Sequence, residues 1–146
     1  MSNKINDEGF NFDPNNLATG TATAGTNECP AIFVVGLPRS GTTLVDQIIT
    51  AHPQVDGTMQ VPIVSTLIRE FQQRELAKGR ATYPTAMTNM NPDELLSMGQ
   101  EYLHRAAIQR GDAAYFVDKM PFNFQHIGLI RLMLPGARIV NVNRNP

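Results

Sequence analysis

Residues Ala31-Ile32-Phe33-Val34-Val35 form an unbroken apolar run that stops at Gly36, and Leu37-Pro38-Arg39-Ser40-Gly41-Thr42-Thr43 leads straight into an amphipathic stretch. The run is apolar at every position, so it reads as a strand buried on both faces. From Thr43 to Ala51, the residues Leu44, Ile48 and Ala51 recur at helical spacing, and His52-Pro53 ends the pattern. A doubly buried strand needs helices on both sides of its sheet, which confines the chain to a layered α/β fold. The junction has the spacing G-x-x-x-x-G followed by two hydroxyl residues, with Thr42 where a phosphate-binding loop usually carries lysine. Its physics survives that change. Glycines let backbone N–H groups converge on one anion, and the next helix aims its positive end at the same point. Thr42 and Thr43 add hydroxyls, and Arg39 adds a fixed, forked charge.

The rest of the chain repeats the alternation. Pro62 to Lys78 is helical, with Ile63, Val64, Leu67, Ile68 and Phe71 on one face, Pro62 at the first helical position and Gly79 as the C-terminal cap. Asn91-Pro92-Asp93-Glu94 opens a further helix that buries Leu95, Leu96, Tyr102, Leu103, Ala106 and Ala107 and stops near Gly111. Ala114 to Val117 reads as a second strand, Phe124 to Leu134 as a helix, and Arg138 to Val142 as a third strand. The expected fold is therefore α/β, a P-loop-type parallel sheet flanked by helices. Residues 1–30, rich in Asn, Thr, Gly and Asp, read as a flexible tail, and residues 31–146 as the folded part. Three strands leave an edge bare, an opening for oligomer formation. The end of the chain four residues after the third strand predicts a truncated domain.

Charge and cysteine usage narrow the function classes. Twelve basic and thirteen acidic residues argue against coating nucleic acid by charge alone. No apolar run approaches the ~20 residues of a membrane span, and the N-terminus lacks a basic-then-apolar start. Cys29 stands alone, which fits a reducing, cytoplasmic setting, and no histidine pair has metal-ligand spacing, so no metal is expected.

Four ordered segments resemble the sulfotransferases, most closely the tyrosylprotein-sulfotransferase-like branch of bacteria. Phe33 to Leu44 resembles the family's 5′-phosphosulfate-binding loop, and His52-Pro53-Gln54-Val55 follows the first helix in the family's order. Val117-Asp118-Lys119-Met120-Pro121-Phe122 resembles its lysine-containing segment after a strand, and Ala137 to Pro146 the strand and loop that bind the donor's 3′-phosphate. The resemblance implies a donor, 3′-phosphoadenosine 5′-phosphosulfate (PAPS), and transfer of its sulfuryl group to an acceptor hydroxyl or amine. It assigns Arg39, Ser40, Gly41, Thr42 and Thr43 to the 5′-phosphosulfate, Arg144 to the 3′-phosphate, and Lys119 to the charge that builds on the leaving phosphate. Gln60 lines up with a glutamate that, in the tyrosylprotein branch, takes the acceptor's proton; an amide can orient an acceptor but has no useful basicity, and it cannot replace that base unless Asp56 or a histidine moves in. The serine that partners the 3′-phosphate arginine in the family falls beyond residue 146.

Two other readings stay open on the residues alone. One is a different P-loop enzyme such as a kinase, with Asp118 after a strand as a magnesium-holding acid; the missing loop lysine counts against it. The other is an inactive remnant or interaction module, favoured by Gln60 and by the expected truncation.

Overall fold

The computed structural model describes residues 29–57 and 61–144. All but two residues of the expected tail, together with Gln60, Asn145 and Pro146, lie outside them. The apolar run forms β1 (Ala31–Gly36), and every one of its six residues is buried. Its alternate side chains serve two cores, as period-2 geometry requires. Ala31, Phe33 and Val35 join the larger core, while Ile32 and Val34 join a smaller one on the opposite face. The ordered part begins slightly earlier than expected: Cys29 is buried, and the Pro30 carbonyl accepts the Phe116 N–H at 3.0 Å.

β1 lies inside a four-stranded sheet of order β2-β3-β1-β4, with β2 (Val55–Gly57), β3 (Tyr115–Asp118) and β4 (Arg138–Val142). Every pairing is parallel, with Phe33 opposite both Asp118 and Ile139, and Val55 opposite Tyr115. Three strands were expected; β2 is the fourth. It is only three residues long, too short for a periodic signal, and is fixed by non-local pairing with β3.

The helix after the loop, α1 (Thr42–Thr50), covers the smaller core. It docks through Val45 and Ile49, with Thr42 buried at its start, whereas Leu44 and Ile48 are 61% and 65% exposed. The expected Leu44/Ile48/Ala51 face is thus turned outward. Both stripes have helical spacing, and the strand-to-helix loop selects which one meets the sheet.

α2 (Ile63–Ala77), α3 (Pro92–Gln109) and α4 (Ile127–Met133) pack on the other face. In α2 the expected residues Ile63, Val64, Leu67, Ile68 and Phe71 are all buried. Pro62 occupies the cap rather than the first helical position. Gly79, at φ 68°, ends the helix: its N–H bonds the Leu76 carbonyl and the Arg80 N–H bonds that of Glu75, the pairing of a Schellman motif. Asn91 caps α3, accepting the Glu94 N–H at 2.8 Å while the Glu94 carboxylate accepts the Asn91 N–H. α3 buries Leu95, Met98, Gly99, Tyr102 and Ala106; Leu96 and Leu103 are half-buried and Ala107 is exposed. At Gly99 a Cβ would fall 2.1 Å from the Met133 carbonyl oxygen, so α3 meets α4 backbone to backbone there. The segment after Lys119 opens as a 3-10 turn (Pro121–His126) before α4, not as one continuous helix. None of the described helices is long and apolar enough to cross a membrane.

Candidate functional site

In a parallel sheet, ligands bind outside the carboxyl ends of the strands, where successive connections leave in opposite directions. β1 occupies that place, between β3 and β4, and its loop heads for α1 on one face while β3 connects to β4 across the other. The loop bends sharply. Ser40 N–H bonds the Leu37 carbonyl at 3.1 Å around Pro38 and Arg39, and Arg39 sits at φ 63°. Pro at the second place and positive φ at the third is the pattern of a type II turn, which usually wants glycine where Arg39 stands. Gly41, at φ 98°, then turns the chain into α1. Gly36 admits no side chain: a Cβ would lie 2.5 Å from Ser40 Oγ and 2.7 Å from the Val142 carbonyl oxygen. Among the described residues, Ser40 Oγ is buried in the packed loop without a hydrogen-bond partner, and no side chain caps α1. An unpaired buried hydroxyl costs roughly 1–3 kcal/mol, which an anion oxygen in the loop can recover.

Lys119 follows β3 directly and reaches α1. Its Nζ lies 3.5 Å from Thr43 Oγ1 and 3.8 Å from Asp46 Oδ2, with the lysine side chain only 12% exposed. The neighbouring Asp118 points the other way, into the larger core. It accepts the Tyr102 hydroxyl at 2.7 Å and the Asn123 amide at 3.4 Å, and is 3% exposed. Burial pushes its carboxyl up to about 6, while hydrogen bonds from Tyr102 and the Met120 N–H favour the charged form. Tyr102 in turn is raised well above the ordinary tyrosine value, first by burial and then by the Asp118 charge. The acid that a magnesium-dependent reading would need is therefore tied into the core behind the lysine.

The remaining sequence candidates fall in separate places. Thr42 is buried beneath the loop with its methyl toward Gly36, whereas Arg39 and Thr43 are exposed. Arg144, also exposed, lies two residues past Val142, which pairs with Gly36; the register brings it to the loop's edge of the sheet. Gln60 is outside the described residues. Asp56 accepts the Ala113 N–H at 3.0 Å, so its carboxylate is engaged by the segment ahead of β3. His52 accepts the Gln54 N–H at a local turn, and His104 is exposed on α3. His126 Nδ1 is 2.9 Å from the Tyr83 hydroxyl; burial lowers the imidazole and raises the phenol to about 12. Cavities of about 450 and 560 Å³ lie between α2 and α3, lined in common by Phe71, Glu75, Met90 and Glu94, away from the loop. Sequence reasoning missed Asp46. The signal was present: it lies three residues after Thr43, on the same helical face.

Comparison with known proteins bears on the family of the chain. A family model described as the sulfotransferase family matches residues 30–146. An uncharacterized protein of Aquifex aeolicus is 36% identical over 116 residues, covering 78% of this chain and 15% of its own length. Protein-tyrosine sulfotransferase 1 of Danio rerio is 26% identical over 119 residues, 81% of this chain and 33% of its own length. The Homo sapiens protein of that name is 26% identical over 122 residues, 81% of this chain and 32% of its own length. The chain thus spans about a third of these two sulfotransferases.

Proposed function

The chain belongs to the sulfotransferase family, and we propose that its loop binds the 5′-phosphosulfate of PAPS as the donor half of a sulfuryl-transfer site. The observation that supports this most is the buried Ser40 hydroxyl, without a hydrogen-bond partner among the described residues, inside a strand–loop–helix turn. A tetrahedral anion oxygen suits such a donor, and the positive, N-terminal end of α1 suits the same charge. Arg39, Ser40, Gly41, Thr42 and Thr43 hold the 5′ end, with Arg39 supplying charge from the turn. Arg144, at the same edge of the sheet, pairs with the 3′-phosphate.

PAPS, when bound, supplies the activated sulfuryl group. Lys119 stabilises negative charge as it gathers on the leaving phosphate, the interaction that lowers a barrier when it strengthens in the transition state. Gln60 orients an acceptor hydroxyl or amine by hydrogen bonding and takes no proton, so the proton that the acceptor loses passes to solvent. The whole reaction is proposed only for a chain of the relatives' full length, of which this one spans about a third or less. For this chain the donor half is what the residues support. A kinase-like reading is disfavoured because the loop lacks lysine and Asp118 is engaged by Tyr102 and Asn123.

Calorimetric titration with 3′-phosphoadenosine 5′-phosphate tests the proposal without requiring turnover. Saturable binding without magnesium is expected, and ATP with magnesium should compete poorly. Absence of any saturable signal at millimolar nucleotide would falsify donor recognition by this loop.

A further inference from the structure

Thr43 and Asp46 lie three residues apart on one face of α1, the face that Lys119 crosses as it leaves β3. Thr43 belongs to the loop's end of the helix, and Asp46 sits one turn farther in. The Lys119 ammonium is shared between them, 3.5 Å from the hydroxyl and 3.8 Å from the carboxylate. Both distances exceed those of a good hydrogen bond, so neither contact holds the ammonium at its optimum. The ion pair is nonetheless largely covered, with side chains 12% and 22% exposed, so water screens it less than a surface pair. Asp46 is the sole acid in α1. A carboxylate beside an anion site opposes the ligand unless a cation offsets it.

We infer that Asp46 is a positioning residue that holds the Lys119 ammonium against α1 in the ligand-free protein and competes with an incoming anion for it. The inference rests on the loop being the phosphosulfate site. Lysine suits such a handover, since its flexible stem lets a compact charge re-aim without moving the backbone. When an anion enters above Thr43, Lys119 swings toward it and the contact to Asp46 lengthens. Asp46 therefore sets a resting position for Lys119 and lowers the affinity of the empty loop.

Two measurements test this on the full chain. In the first, 3′-phosphoadenosine 5′-phosphate is titrated into the wild type, Asp46→Asn, Lys119→Met and the double variant. Asp46→Asn should tighten binding by about two- to fivefold, the range of a modest ion pair. The gain should vanish when Lys119 is already Met. No change in Asp46→Asn overturns the inference, as does an equal gain with and without Lys119, which is direct repulsion of the ligand. The second measurement needs no nucleotide. Competitive acetylation read by mass spectrometry should modify Lys119 faster in Asp46→Asn than in wild type, with other lysines unchanged. Equal rates reject the resting contact. A wild type that ignores the nucleotide sinks the reading of the loop instead, and the acetylation rates still decide for or against Asp46.

Discussion

Arg39 shows how a single residue can serve two opposed demands. Its φ of 63° is the left-handed conformation, which costs a residue with a Cβ roughly 1–2 kcal/mol over glycine. Strain of that kind persists where the side chain does something else. Arg39→Gly separates the two demands. Relief of strain is partly cancelled by glycine's extra freedom in the unfolded chain, so stability should stay within about 1 kcal/mol of wild type by urea denaturation. Affinity for 3′-phosphoadenosine 5′-phosphate should fall about tenfold or more, because a charge-assisted hydrogen bond to phosphate is lost. A loss of stability without a loss of affinity would mean that Arg39 shapes the turn and holds nothing. The charge of Arg39 was legible in the sequence, and so was the need for glycine at Gly36 and Gly41. The positive φ was not, because Pro-Arg carries no turn signal that demands it.

Elements long enough to repeat their own pattern were legible before any coordinates. β1 ran one residue past the expected run, β4 has the expected bounds, and α2 buries the face its spacing marked. The Asn91 capping box and the Gly79 stop sit where local chemistry placed them. What escaped was set by distant partners. β2 exists through pairing with β3, and the rotation of α1 is chosen by the loop ahead of it, which presents Thr43 and Asp46 to Lys119. Gly99 is a third case. A glycine inside α3 looks like a helix weakness, yet it marks the crossing with α4, where Met133 leaves no room for a Cβ. Gly99→Ala gains about 1 kcal/mol of helix propensity. The clash is with backbone, which yields only by moving α4, and overpacking of this kind costs about 1–3 kcal/mol or more. A net loss of up to about 2 kcal/mol is expected, read as a lowered urea midpoint at unchanged slope; a stabilised variant would show that the two helices can part freely.

For the molecule as a whole, the titrations of Asp118 and His126 pull stability in opposite directions. Asp118 is a buried acid beside the larger core, tying β3 to α3 through Tyr102 and to the turn after Lys119 through Asn123. Its folded value of about 6 lies above the ordinary 3.8, so between those values the native protein keeps a proton that the unfolded chain has released. Its contribution is therefore complete below the lower value and is lost as pH rises through the higher one. His126 behaves oppositely. Burial beside Tyr83 holds its imidazole below 6.5, so the unfolded chain binds a proton that the native protein refuses, and stability falls as pH drops through the folded value. The two windows overlap, and the wild-type profile between pH 4 and 6.5 should be flatter than either group alone would make it. Asp118→Asn removes one arm while keeping an acceptor for the Tyr102 hydroxyl. Urea denaturation of wild type and Asp118→Asn from pH 4 to pH 7.5 should show their stability difference shifting by on the order of 3 kcal/mol, with the wild type relatively favoured at the acid end. The same comparison with His126→Gln should shift the other way, the wild type gaining as pH rises. A difference that stays constant with pH for Asp118→Asn would place the carboxylate in contact with water, and the fixed base on which Lys119 stands would have to be sought elsewhere.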